Sequence, residues 1–295
     1  MKIRFWGVRG SLAHPGPTTL NYGGNTTCLE VRTAAGTLII LDAGTGIQGL
    51  ATELLRQMPL EAHLFFTHTH WDHIQGLPLF TPLHIRGNRI HIYGVHDAVR
   101  QRPLHQTLGV QFDYPYFPVR EAELSASLDY HTVRDGDTIT VGDARVYPVL
   151  MHHPGFNLGY RIEADGKSLF FTGDHEKHYN PFPPHHPEHA GFQALMEERQ
   201  RQLDQAMAAV DLLVADTSYT EEEYRTRRGW GHSTYAFSLD MARRTGARLL
   251  AMTHHDPQRD DTQLQRIDSE LQRSREEDPG QPPFFMAREG LEMEL

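Results

Sequence analysis

One cysteine, Cys28, stands among 295 residues. A single thiol excludes an intramolecular disulfide and any cysteine-built zinc site. It fits a reducing, cytoplasmic setting, and within its apolar run it reads as a small core residue. Long apolar stretches are equally scarce. None approaches the ~18 to 20 residues that cross a bilayer, so no membrane partner is expected. The first residues, Met1 to Gly7, lack the apolar core of a signal peptide and read as a strand. Positive charge is also short: 28 Lys and Arg face 38 Asp and Glu, a net charge of −10. A nucleic-acid binder needs a positive footprint, so a polynucleotide substrate is disfavoured, although a local basic patch leaves it open.

Histidine, by contrast, is abundant, with 20 copies. Four metal-ligating side chains fall within six residues in Thr67-His68-Thr69-His70-Trp71-Asp72-His73. The apolar run Ala62 to Phe66 precedes them and reads as a buried strand. A strand ending in His-x-His-x-Asp-His brings imidazoles and a carboxylate onto one tight turn. Imidazole suits Zn, Fe or Ni, and the carboxylate admits harder ions such as Mn.

The rest of the chain reads as strands in runs, then strands alternating with helices. Helices are expected over 47–58, 96–106, 192–209 and 262–275, with one opened by Gly229 to Thr234. A short strand pair is expected at the C-terminus. Gly44-Thr45-Gly46-Ile47-Gln48-Gly49 matches the dinucleotide pattern G-x-G-x-x-G. That pattern also needs an acidic residue ending the next strand, which here ends in Thr67-His68; tight strand-to-helix turning is the expected role of the glycines. The aromatic patch Phe112 to Phe117 either shapes a pocket or packs back on the core. With no linker and no low-complexity segment, residues 1–295 are expected to form one α/β domain of two packed sheets with helices outside.

Polar clusters recur at predicted strand ends: Asp42; His68, His70, Asp72 and His73; His152 and His153; Asp174; Asp216; His254 and His255. Strand ends on one rim of a sheet converge in space. His68-Thr69-His70-Trp71-Asp72-His73, with His153, Asp174 and His254 downstream, resembles the metallo-β-lactamase superfamily, from the first strand to His254. Gly7-Val8-Arg9-Gly10-Ser11, Tyr22-Gly23-Gly24-Asn25-Thr26 and Leu41-Asp42-Ala43-Gly44-Thr45-Gly46 are similar to its phosphodiesterase-like members. Gly231-His232-Ser233-Thr234 and Thr253-His254-His255 resemble its tRNA 3′-end processing branch.

That resemblance implies a four-layer αββα sandwich and two divalent ions, Zn with Mn or Fe as alternatives. His68, His70 and His153 would bind the first ion, Asp72, His73 and His254 the second, and Asp174 would bridge them. His152 and His255 compete with their neighbours; His153 is preferred for its His-Pro-Gly context and His254 because it follows Thr253. Asp42 would orient a ligand histidine. Asp72 and His232 are the candidate catalytic residues, His232 as leaving-group proton donor.

Asp174 where another branch has cysteine, together with Asp72, favours the hydrolase and phosphodiesterase branches. His232 favours phosphodiester cleavage. The acidic charge, and the lack of a long basic glycine-rich arm, argue against a tRNA partner. The expected substrate is a small phosphodiester such as a cyclic nucleotide. Thioester or lactone hydrolysis, a tRNA-processing endonuclease, a di-iron redox enzyme and a non-catalytic metal-binding module are the alternatives, and a homodimer is the default assembly.

Overall fold

The computed structural model describes residues 1–97, 99–278 and 280–295. In chain order the elements are β1 (Lys2–Gly7), β2 (Cys28–Arg32), β3 (Leu38–Leu41), α1 (Ile47–Leu54), β4 (Glu61–Phe65), α2 (Trp71–Ile74), β5 (Arg89–Gly94), α3 (Leu104–Gly109) and β6 (Ser127–Thr132). Then come β7 (Ile139–Val141), β8 (Ala144–Leu150), β9 (Leu158–Ala164), β10 (Lys167–Phe171), α4 (His189–Ala206) and β11 (Leu212–Asp216). The chain closes with α5 (Glu221–Arg227), α6 (Tyr235–Thr245), β12 (Leu250–Thr253), α7 (Asp261–Glu277), β13 (Phe284–Met286) and β14 (Glu292–Glu294).

These strands build two sheets, ordered β14-β1-β2-β3-β4-β5-β6 and β13-β12-β11-β10-β9-β8-β7. Ile3, Phe5, Val31, Ile39, Leu41 and Phe65 of the first meet Val146, Tyr160, Ile162, Leu169, Phe171 and Val214 of the second in one buried core. The opposite face of the first sheet carries Ile40, Leu64 and Ile92 under α1 and α3. The outer face of the second carries Phe170, Leu213 and Met252 under α4, α6 and α7. Central strands are thus covered on both faces. That is why β3 reads as the unbroken apolar run Leu38-Ile39-Ile40-Leu41 rather than alternating. Each such fully buried side chain contributes roughly 1.5–3 kcal/mol. The layers run helix, sheet, sheet, helix, as expected.

Several local expectations need correction. The two last strands do not pair with each other: β13 joins β12 in the second sheet and β14 joins β1 in the first. The helix expected over 96–106 gives way to a bridge between Asp97 and Arg102, and α3 starts only after Pro103 (Ala98 lies outside the described residues). Pro103 explains the late start, since the residue before a proline disfavours the helical region. An unexpected helix, α5, starts on a capping box in which Thr220 and Glu223 serve each other's backbone N–H. The aromatic stretch splits: Phe112 and Phe117 pack against the core beneath the first sheet, while Tyr114 and Tyr116 are exposed. No helix among the described residues is long and apolar enough to cross a membrane.

β3, β4 and β5 run parallel, as do β10, β11 and β12. Their carboxyl ends therefore share one rim, and the polar clusters sit there.

Candidate metal centre

Three chain segments supply the first group. His68 and His70 follow β4, His153 follows β8 and Asp174 follows β10. One ligating atom from each lies within 4.8 Å of the others. A second group, held to the same limit, joins Asp72 and His73 from α2, His254 after β12, and again Asp174. The two groups share Asp174 alone. His73 Nε2 is 3.1 Å and His254 Nε2 3.0 Å from one carboxylate oxygen of Asp174, and His68 Nε2 is 3.5 Å from the other.

Three buried atoms at this junction, His68 Nε2, His73 Nε2 and Asp174 Oδ1, make no hydrogen bond. Leaving one such atom unpaired costs about 1–3 kcal/mol, so three converging on the same space point to a ligand that satisfies them together. Imidazole nitrogens with one shared carboxylate are the donor set of a divalent transition metal. These residues fit a pair of ions. His70 is the exposed member of the set, so the centre opens to solvent on that side.

The surroundings fix three of the five imidazoles. His73 Nδ1 meets the Asp42 carboxylate at 2.8 Å, and Asp42 also accepts from the Thr67 backbone N–H at 2.8 Å. His153 Nδ1 meets the Gly231 carbonyl at 2.8 Å. Ser218 Oγ lies 3.1 Å from His254 Nδ1, and the Ser11 N–H donates to Asp72 at 2.7 Å. Such outer contacts set tautomer and ring orientation. Glycines supply the room. A Cβ on Gly10 would lie 2.2 Å from the His254 ring, and one on Gly231 would lie 2.4 Å from His153 Nδ1. Asp42 and His254 themselves take left-handed backbone angles, with φ of 61° and 59°. Such angles cost of order 1–3 kcal/mol in a non-glycine residue and cluster at functional sites.

Charge divides the two groups. Burial holds His68, His70 and His153 below the usual imidazole range, which keeps them neutral. Burial pulls His73 and His254 the same way, but Asp174 and its neighbouring carboxylates overcome it and raise both well above that range. Burial would raise Asp174, yet His254, His73 and His68 hold it well below the usual carboxylate range.

Of the two neighbour pairs left open by the sequence, His152 turns to the Glu176 carbonyl at 3.0 Å and stacks on His178, and His255 turns to the Ala287 carbonyl at 2.8 Å. Neither joins a ligand group. His232 lies two residues before Thr234, the residue that caps α6. Its Nδ1 is 2.9 Å from Asp216 and 3.8 Å from Asp174, and its ring stacks on His254.

Sequence reasoning assigned no role to Asp216, and it passed over Glu176. The latter accepts from the N–H groups of Gly229 and Gly231 at 2.7 and 2.9 Å and from Tyr224, and so holds the loop that carries His232. Arg9 is fully buried and donates to the carbonyls of Gly23 and Arg259, tying down the segment beyond His254. The glycines of 44–49 serve packing: a Cβ on Gly46 would meet the Trp6 backbone at 2.5 Å, and one on Gly44 the Asp72 carbonyl at 2.3 Å.

Sheets, rim and clustered ligands define a metal-binding hydrolase of the metallo-β-lactamase fold, and the comparisons agree. The chain belongs to the family described as the beta-lactamase superfamily domain, whose model matches residues 37–255. It is 25% identical to a Ribonuclease Z of Haloarcula marismortui over 86% of each chain. The metallo-beta-lactamase fold protein YhfI of Bacillus subtilis superposes with a TM-score of 0.66 at 14% identity, over 99% of this chain and 98% of that one. Human tRNase Z, short form, superposes with a TM-score of 0.61 at 16% identity, over 100% and 99%. At these identities the structural likeness carries the fold.

Proposed function

We propose that this chain is a dinuclear metal-dependent phosphodiesterase. His68, His70 and His153 would hold one ion, Asp72, His73 and His254 the other, with Asp174 between them. When bound, such a pair supplies a nucleophile at neutral pH and neutralises charge at the phosphoryl group. The observation that carries the phosphodiester reading is the His232–Asp216 pair, 2.9 Å apart, which groups with Asp174 and His254 but adds no residue to the two sets assigned to the ions. Burial lowers the His232 pKa, but Asp216 at Nδ1 and Asp174 overcome this and raise it, so a protonated His232 would hold a proton on Nε2 for a departing alkoxide. A carbonyl substrate with a good leaving group has less need of that proton.

A small phosphodiester fits best. The net charge of −10 opposes a long polyanion. Exposed aromatic residues neighbour the site residues in the chain: Trp71 follows His70, Phe156 comes three residues after His153, and Trp230 comes two before His232. Such rings stack on a base at little cost in ordering. A second reading, cleavage at an RNA 3′ end, is favoured by the relative named Ribonuclease Z. The test is turnover by the metal-replete protein on bis-aryl phosphate, cyclic nucleotides, a tRNA precursor, a thioester, a lactone and a β-lactam. Cleavage of the small phosphodiesters is expected. Activity confined to the thioester or lactone would refute the proposal, and activity confined to the precursor would select the second reading.

A further inference from the structure

We propose that Glu61, His63 and His91 form a third metal site, apart from the rim, that takes Zn2+ or a similar divalent transition ion. Parallel pairing sets His63 on β4 directly beside His91 on β5. One ligating atom from each of the three residues lies within 4.8 Å of the others. His63 on β4 stands five residues before His68, up to about 16 Å of extended chain from the proposed dinuclear centre.

Residues 61, 63 and 65 alternate onto one face of β4, and Phe65 on that face enters the core between the sheets. The cluster therefore sits where that core opens to solvent. His91 is largely covered, with 14% of its side chain exposed, while the Glu61 side chain is 56% exposed and can move onto an incoming ion.

The two imidazoles lie side by side, and one ring must turn out of the stack for both to face one ion. Their rings stack with centroids 4.6 Å apart and planes 7° from parallel, a packing that suits uncharged rings. The Tyr93 hydroxyl lies 3.2 Å from His63 Nδ1, and His131 Nε2 lies 3.3 Å from His91 Nδ1. With both Nδ1 atoms engaged, Nε2 is the nitrogen that each ring offers a metal. Tyr93 and His131 then act as the outer partners that fix metal-ligand histidines elsewhere.

His91 Nε2 already lies 2.8 Å from the Glu61 carboxylate, so an ion entering there would displace the shared proton. Asp129, 3.7 Å from His91 Nδ1, adds a negative charge from β6, offset in part by Arg89, which lies 2.9 Å from it. Tetrahedral zinc with nitrogen and oxygen ligands at ~2.0–2.2 Å needs those ligands about 3.4 Å apart. Glu61 and His91 already lie inside that distance, so the exposed carboxylate would step back to admit the ion. Two imidazoles and a carboxylate leave a fourth position for solvent, and the ion would cross-link β4 to β5.

The test counts metal by difference. Wild type and a His63→Gln/His91→Gln variant, both metal-replete, are dialysed against buffered micromolar Zn2+ and assayed by mass spectrometry. The variant should hold one equivalent fewer, with the same circular dichroism and the same hydrolytic turnover. Glu61→Gln should weaken the same equivalent by about tenfold or more. Failure of the dinuclear centre would change both counts alike, so the difference isolates this site. Should the double variant fold poorly, His91→Gln alone is compared through the visible spectrum of added Co2+, with one tetrahedral equivalent expected to disappear. Equal metal in wild type and variant, or an unchanged Co2+ spectrum, would overturn the proposal.

Discussion

His232 Nδ1 lies 2.9 Å from the Asp216 carboxylate, while the same imidazole stacks on His254 with centroids 4.8 Å apart. One carboxylate thus orients a histidine that, by the same 4.8 Å limit, also groups with Asp174, Asp216 and His254. In the proposed reaction Asp216 would act through His232 as a positioning residue. Asp216→Asn should keep both ions but lower kcat by about 100-fold, within the range of general-acid catalysis. The loss should be larger for poor leaving groups than for good ones. Metal analysis with kcat on both ester types checks this, and loss of an ion from Asp216→Asn would make Asp216 a ligand instead.

Asp174 is the one residue common to both ligand groups. Asp174→Ala should lose metal and all activity together, and chelation of the wild type should reproduce the activity loss. Full activity with two ions retained would contradict the site.

Gly10 tests the crowding around His254. A methyl there would lie 2.2 Å from the imidazole, whose backbone is already held at a φ of 59° and has little room to retreat. Gly10→Ala should weaken one ion by roughly 10–100-fold, the usual cost of disturbing a ligand's support, while circular dichroism stays unchanged. Unaltered affinity for both ions would show that the ring yields freely.

His178 gives a pH dependence away from the ligands. Burial, and then neighbouring His152, push it down to about 4 against an opposing hydrogen bond to Gln200. It is neutral in the fold, whereas an unfolded imidazole titrates near ~6.5. Between these values the unfolded chain binds more protons, so this contribution is complete above ~6.5 and is lost as pH falls towards 4. His178→Phe keeps an aromatic partner for His152, which stacks on it at 4.5 Å, and cannot titrate. Urea midpoints of the variant should therefore fall less between pH 6.5 and 4.5 than those of wild type. Parallel curves would contradict the assignment.

Much of the fold was legible because local signals agreed with it. The run at 38–41, the alternation along β8 and the ligand spacing at 68–73 each follow from one strand's own surroundings. What escaped depends on contacts distant in sequence. Asp216 and His232 are sixteen residues apart on separate elements, and Glu176 reaches fifty-five residues ahead to Gly231. Asp216 is marked only as a strand-end residue, and nothing local marks Glu176. The two last strands looked alike in sequence but close different sheets, a choice made by the elements they meet. One miss was avoidable: Thr220 with Glu223 three residues later is a capping signal, and it opens α5.

The central claim, phosphodiester cleavage assisted by a proton from His232, is tested most directly by the leaving-group dependence of His232→Ala. With both ions retained, the variant should lose most of its turnover on an alkyl phosphodiester, roughly 100-fold or more, and much less on an activated aryl ester, whose departing oxygen needs no proton. Equal losses on the two esters would contradict the account.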